Sequence, residues 1–153
     1  MCTSVSDCTT RSLRPADLGG NIYALGSRQG NPFRIGIADP ENPQEVIGYL
    51  ELTNCSAVTS GIYQRYSSWE GERYHHILDP DTGLPVNNSL ASATVISENS
   101  TDCDALSTIC MLLGEEKALE LINSLEGVSA VLVRRDGEII LSQGAEEIFS
   151  RAG

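Results

Sequence analysis

Both histidines of the chain stand side by side in the run His75-His76-Ile77-Leu78-Asp79-Pro80-Asp81-Thr82-Gly83. An acid before proline starts a turn, and Thr-Gly closes it two residues later. The run therefore predicts a strand, Arg73 to Leu78, that ends in a tight polar turn. Such a turn gathers His, Asp and Thr, and turns on a rigid scaffold are where binding and catalytic groups concentrate. The same residues also suit an ordinary Asp-Pro turn with a solvated histidine, and local chemistry does not choose between the two. A second run, Asp102-Cys103-Asp104-Ala105-Leu106-Ser107-Thr108, carries a different chemistry. Asp104 and Thr108 are four apart, which on a helix sets them one turn above another on one face. Ser107 lies near them. One carboxylate with two hydroxyls is a hard oxygen set. It suits Mg²⁺, which takes one or two carboxylates and completes its shell with waters and substrate phosphates. The competing reading is a helix start whose acids merely offset the helix dipole.

The composition limits what such sites can serve. With 153 residues the chain predicts one domain, long enough to bury a core. Apolar residues make up 41% and charged residues 20%, as in ordinary globular proteins. The net charge of −11 repels phosphates, so nucleic acid and anionic membranes are excluded as nonspecific partners. A phosphate-bearing substrate would need a bridging cation. No apolar run is long enough to span a membrane. Cys2, Cys8, Cys55, Cys103 and Cys110 are odd in number and show no Cys-x-x-Cys spacing, which argues against structural zinc and a disulfide framework. The start has neither a basic nor an apolar segment, so no secretory signal is read and a cytoplasmic setting with reduced thiols is the default expectation.

The elements that must position these residues follow in order. Residues 1–16 read as a polar leader outside the fold. Asp17-Leu18-Gly19-Gly20-Asn21 is a tight turn or a close backbone approach. Short strands are expected at Ile22 to Gly26, Phe33 to Ile37, Val46 to Leu52 and Cys55 to Val58, the last ending in a Thr59-Ser60-Gly61 turn. Trp69 to Arg73 makes a hairpin turn, and Ala91 to Ile96 is a β-branched strand. Thr101 or Asp102 is expected to cap a helix whose apolar positions are Leu106, Ile109, Cys110 and Leu113. Gly114 interrupts it. A second helix, Glu115 to Leu125, presents Ala118, Leu121, Ile122 and Leu125. A strand from Val128 to Arg134, a turn at Asp136-Gly137 and a return strand to Leu141 close the fold, followed by a polar tail. The class is α+β: mainly antiparallel sheet with two helices in the C-terminal third.

Five stretches in this order resemble a known family. They are Asp17-Leu18-Gly19-Gly20-Asn21, Arg34-Ile35-Gly36-Ile37 with Asp39-Pro40, Thr59-Ser60-Gly61-Ile62-Tyr63, the His75 to Gly83 run, and Asp104-Ala105-Leu106-Ser107-Thr108. Together they are similar to the FAD:protein FMN transferases of the ApbE type, over residues 17 to about 145. The resemblance implies a Mg²⁺-dependent transfer of FMN from FAD to a threonine of an acceptor flavoprotein, with release of AMP. By that resemblance Asp104 and Thr108 are metal ligands, with Ser107 a third. Ile77 contacts the flavin nucleotide, and His76 is the general base or orients the acceptor. Gly19, Gly20, Asn21, Ser60 and Gly61 are backbone-approach positions around the flavin. Members of the family are longer, and residues 17–153 match only their C-terminal part. The resemblance then implies that a missing N-terminal half, or a homo-oligomer partner, completes the site. Two other activities remain open on the sequence: Mg²⁺-dependent FAD hydrolysis to FMN and AMP, and a truncated, non-catalytic remnant or flavin-binding module.

Overall fold

The alternation from Val46 to Leu52 places one side chain in two on a buried face, and this segment does form a strand over those residues. The computed structural model describes residues 16–17, 20–62, 66–69, 72–75, 77–78 and 83–153. Its strands are β1 (Ala16–Asp17), β2 (Asn21–Ala24), β3 (Phe33–Ala38), β4 (Val46–Leu52), β5 (Cys55–Gly61), β6 (Tyr66–Trp69), β7 (Glu72–His75), β8 (Leu90–Ser97), β9 (Ser129–Arg134), β10 (Ile139–Leu141) and β11 (Phe149–Arg151). The helices are α1 (Ser100–Leu113) and α2 (Glu115–Asn123). A six-stranded sheet runs in the order β1-β2-β5-β8-β9-β10, a three-stranded sheet in the order β11-β4-β3, and β6 pairs with β7 in a hairpin. Every pairing among them is antiparallel. The α+β class with two helices in the C-terminal third is the observed architecture. No helix among the described residues is long and apolar enough to cross a membrane.

The six-stranded sheet is the middle layer. Val58, Ala93, Val95, Ala130 and Leu132 share one cluster with Cys103, Cys110, Met111, Ala118 and Ile122 of the two helices. Ala57, Ile96 and Val131 share another with Phe33, Ile35, Ile37, Leu50 and Leu52 of the three-stranded sheet. Register explains the division, because Val58 faces Val95 and Ala57 faces Ile96 across the β5–β8 pair, and successive side chains point to opposite faces. A strand covered on both faces needs apolar or small residues throughout. All eight residues of β8 are accordingly buried.

Several expectations are corrected. Thr59-Ser60-Gly61 is not a turn: β5 continues through it because Ser60 and Gly61 pair with Ala93 and Ser92 of β8. Asn99, not Thr101 or Asp102, caps α1, its Oδ1 accepting from the Thr101 N–H at 3.0 Å. The buried face of α1 is Cys103, Ser107, Cys110 and Met111. Ile109 and Leu113 are 37% and 41% exposed. On α2, Ala118 and Ile122 are buried while Leu125 lies beyond the helix and is exposed. The expected polar tail instead buries Ala145 and adds β11 beside β4. Ala16, expected in the leader, pairs with Tyr23. Gly114 joins the two helices at φ 76°, a left-handed conformation that glycine adopts without strain. At the start of α2, Glu115 takes a bidentate grip from Arg134 of β9, with both bonds at 2.6 Å, and this holds the Glu115 carboxyl below the usual carboxylate range.

Cys55, Cys103 and Cys110 are free thiols. Burial against the sheet pushes the Cys110 thiol up to about 11 from its ordinary 9.0. The fold favours the neutral thiol, so its contribution is complete below pH 9 and is lost as pH rises towards 11. The urea midpoint is expected to fall between those values, and to fall less in Cys110→Ala. Equal slopes in the two proteins would show that the thiol does not titrate with folding.

Candidate functional site

Three elements converge where α1 crosses the middle sheet. β5 brings Ser60 to the helix-facing side, in the same face as Val58. β2 brings Asn21, which stands opposite Val58 and so shares that face. α1 brings Asp104, Ser107 and Thr108 within one turn. The Ser60 and Ser107 hydroxyl oxygens lie 2.9 Å apart, and those of Ser60 and Thr108 lie 3.3 Å apart. The Ser107 and Thr108 hydroxyls both donate back to the Asp104 carbonyl, at 3.0 and 3.3 Å. Ser107 is fully buried, while Asp104 and Thr108 are exposed.

Asn21 fixes where the helix begins. Its Oδ1 accepts from Ser100 Oγ at 2.9 Å and from Ser56 Oγ at 3.3 Å, tying β2 and β5 to the first residue of α1. One turn further on stands Asp104. The Cys103 thiol adds to the attachment, donating to Ser97 Oγ at 3.4 Å. Sequence reasoning placed Asn21 and Ser60 as points of close backbone approach. In the structure their side chains also join strand to helix. Ser56 and Ser100 were not anticipated, and the one signal for them is that small hydroxyl residues recur on the helix-facing side of β5 and at the start of α1.

Other expected site residues lie apart from this cluster. The Ile77 side chain is 4% exposed and packed with Cys103 and Cys110, and its carbonyl accepts from the Val86 N–H. Any ligand contact from Ile77 would therefore come from its backbone. Gly61 is buried at the end of β5, on the opposite face from Ser60. Gly20, at φ 97°, accepts from the Thr59 N–H. It lines a cleft of about 210 Å³ between the two larger sheets, with Ile22, Ile37, Thr59 and Thr94. Gly19, His76 and Asp79 to Thr82 lie outside the described residues.

The donor set can be tested against metals. Among the described residues no group of three or more His, Cys, Asp and Glu stands together. One exposed carboxylate beside an exposed hydroxyl fits Mg²⁺, which relies on waters and substrate oxygens for the rest of its shell. Ser107 and Thr108 can each donate to the Asp104 carbonyl, and a hydroxyl that does so keeps lone pairs to offer.

Comparison with known proteins decides the lineage. The family model described as the ApbE family matches residues 16–132. The chain belongs to the ApbE family. It is 41% identical over 135 residues to an FAD:protein FMN transferase of Klebsiella pneumoniae (strain 342), covering 88% of this chain and 41% of that protein. It is 39% identical over 138 residues to the FAD:protein FMN transferase of Treponema pallidum (strain Nichols), covering 84% of this chain and 38% of that protein. The crystal structure of the ApbE protein from Thermotoga maritima superposes with a TM-score of 0.79 at 35% identity, over 89% of this chain and 44% of that one. The apo form of the flavinyl transferase ApbE from Pseudomonas stutzeri gives 0.69 at 35% identity, over 91% and 44%. The chain thus spans about two fifths of the length of the curated ApbE relatives it matches.

Proposed function

We propose that this chain carries the metal-holding part of a flavin transferase, which moves FMN from FAD to a threonine of an acceptor flavoprotein and releases AMP. The observation that carries the reading is the cluster in which Ser60 of β5 meets Ser107 and Thr108 of α1 beside the exposed Asp104. It stands at the positions where the ApbE resemblance implies a metal. Mg²⁺, when bound, neutralises diphosphate charge and polarises the phosphorus under attack. With the chain at a net charge of −11, such a cation offsets the repulsion that an anionic dinucleotide would meet.

Asp104 supplies the charge at this site, and Thr108 a neutral oxygen. Ser107 stands behind them as the third oxygen. The acceptor threonine oxygen forms a bond to the FMN-side phosphorus, while the bond to the AMP-side bridging oxygen breaks and AMP leaves with the electron pair. His76 takes the threonine proton or orients the acceptor. Gly19, Gly20, Asn21, Gly61 and the Ile77 backbone belong to the flavin side of the site. Polypeptide equivalent to the remainder of the longer relatives, or a second copy of this chain, completes the pocket.

The test is FAD titration by flavin fluorescence quenching, with and without Mg²⁺, followed by product analysis. Mg²⁺-dependent binding and FMN covalently attached to an acceptor threonine support the transferase. Free FMN and AMP without an acceptor would make it a hydrolase. Binding without turnover would make it a flavin-binding module, and no binding by the folded protein would overturn the reading.

A further inference from the structure

We infer that Ser60 is a positioning residue for the metal site: from the neighbouring strand its hydroxyl holds Ser107, and with it the turn of α1 that carries Asp104 and Thr108. The inference rests on the metal reading of Asp104 and Thr108. It starts from a count of protons. A serine or threonine hydroxyl has one proton and two lone pairs. Ser107 and Thr108 both lie within donating distance of the Asp104 carbonyl, three and four residues back along the helix, and a carbonyl can only accept. With the proton given to that carbonyl, what each oxygen turns elsewhere is a lone pair. Either hydroxyl can donate in the contacts from Ser60 to these oxygens, at 2.9 and 3.3 Å, and with the helix protons given to the carbonyl the donor is Ser60.

Ser60 has one proton to give, and the shorter contact is to Ser107. Ser107 is 0% exposed, so without that donor its lone pairs would face the protein interior. Thr108 lies outside it, exposed, with its proton held inward by the Asp104 carbonyl. Asp104 and Thr108 stand four residues apart on one face of the helix, and both are exposed, as a cation site requires. Ser60 thus acts on the metal through Ser107 and Thr108 without being a ligand. On the β8 side, the residues beside it in the same row of the ladder are Ala93 and Leu132, and neither carries a polar side-chain atom. Partners of this kind, one bond removed from a metal ligand, typically change affinity by about 10–100-fold when removed.

The probe is Mn²⁺ in place of Mg²⁺, with free Mn²⁺ read by electron paramagnetic resonance and thermal melting followed in parallel. Ser60→Ala should weaken Mn²⁺ binding by about 10-fold at a melting temperature close to the parent's. Ser60→Thr and Ser60→Val form a shape-matched pair that suits a strand. Ser60→Thr should recover most of the affinity, and Ser60→Val should not. Asp104→Ala should abolish binding. If Asp104→Ala abolishes binding while Ser60→Ala keeps the parent affinity, the inference about Ser60 fails and the metal reading stands. If Ser60→Thr is as weak as Ser60→Val, the hydroxyl is not responsible and the inference fails. If the parent chain shows no saturable Mn²⁺ binding, the metal reading fails and takes the inference with it.

Discussion

Asp104→Ala is expected to reduce FAD affinity in the presence of Mg²⁺ to the level seen in its absence, a loss of at least about 100-fold. That is the upper end of what changes to groups merely supporting a metal ligand cost, and Asp104 is the one carboxylate in the cluster. The fold should not suffer, since the side chain is exposed and its backbone carbonyl, which receives Ser107 and Thr108, is untouched by the substitution. Changes at exposed positions of this kind usually fall within about 0.5 kcal/mol. Asp104→Asn refines the experiment. It keeps the shape and one oxygen but removes the charge, so it should lose most of the Mg²⁺ dependence as well. Isothermal titration with FAD at fixed Mg²⁺, alongside circular dichroism, reads both quantities. An Asp104→Ala protein that keeps full Mg²⁺-dependent binding would place the metal elsewhere.

The site and the fold were legible in the sequence to different degrees, and for different reasons. The run Asp104 to Thr108 could be read because helical spacing is local: residues four apart share a face wherever the helix lies. That Ser60 meets them could not, because the contact spans 47 positions and depends on how α1 crosses β5. The same limit explains Thr59-Ser60-Gly61. Small residues and a glycine suggest a turn, but the ladder to β8 keeps the segment extended as far as Gly61, opposite Ser92. Val46 to Leu52 was readable to its ends because β4 has one face towards the core and its alternation shows it. The C-terminal tail was not, since β11 exposes two of its three residues and is recruited by pairing with β4. The strand Arg73 to Leu78 was read as one element. The described residues place β7 at Glu72–His75, with Leu78 bridged separately to Pro85.

The rotation of α1 gives the second large prediction, and it separates the hydrophobic pattern from the packing. Apolar spacing selects Leu106, Ile109, Cys110 and Leu113 as the core stripe. In the structure the helix is turned so that Ser107, bonded to Ser60, faces the sheet, and Met111 follows it inward. Leucine at 113 is left on the flank. Two alanine substitutions two residues apart therefore have unequal consequences. Met111 is 2% exposed and packed in the cluster with Leu90, Ala93, Val95 and Leu132. Removing its side chain leaves a cavity that a sheet buried on both faces collapses around poorly, and Met111→Ala should cost about 2–5 kcal/mol. Against a total stability of about 5–15 kcal/mol for a domain, that is enough to lower the urea midpoint severely. Leu113 is 41% exposed, and Leu113→Ala should cost under about 1 kcal/mol. Urea denaturation followed by circular dichroism measures both. Equal losses, or the larger loss at Leu113, would mean that α1 sits on the sheet with the stripe the sequence suggests, and in that orientation Ser107 would no longer reach Ser60.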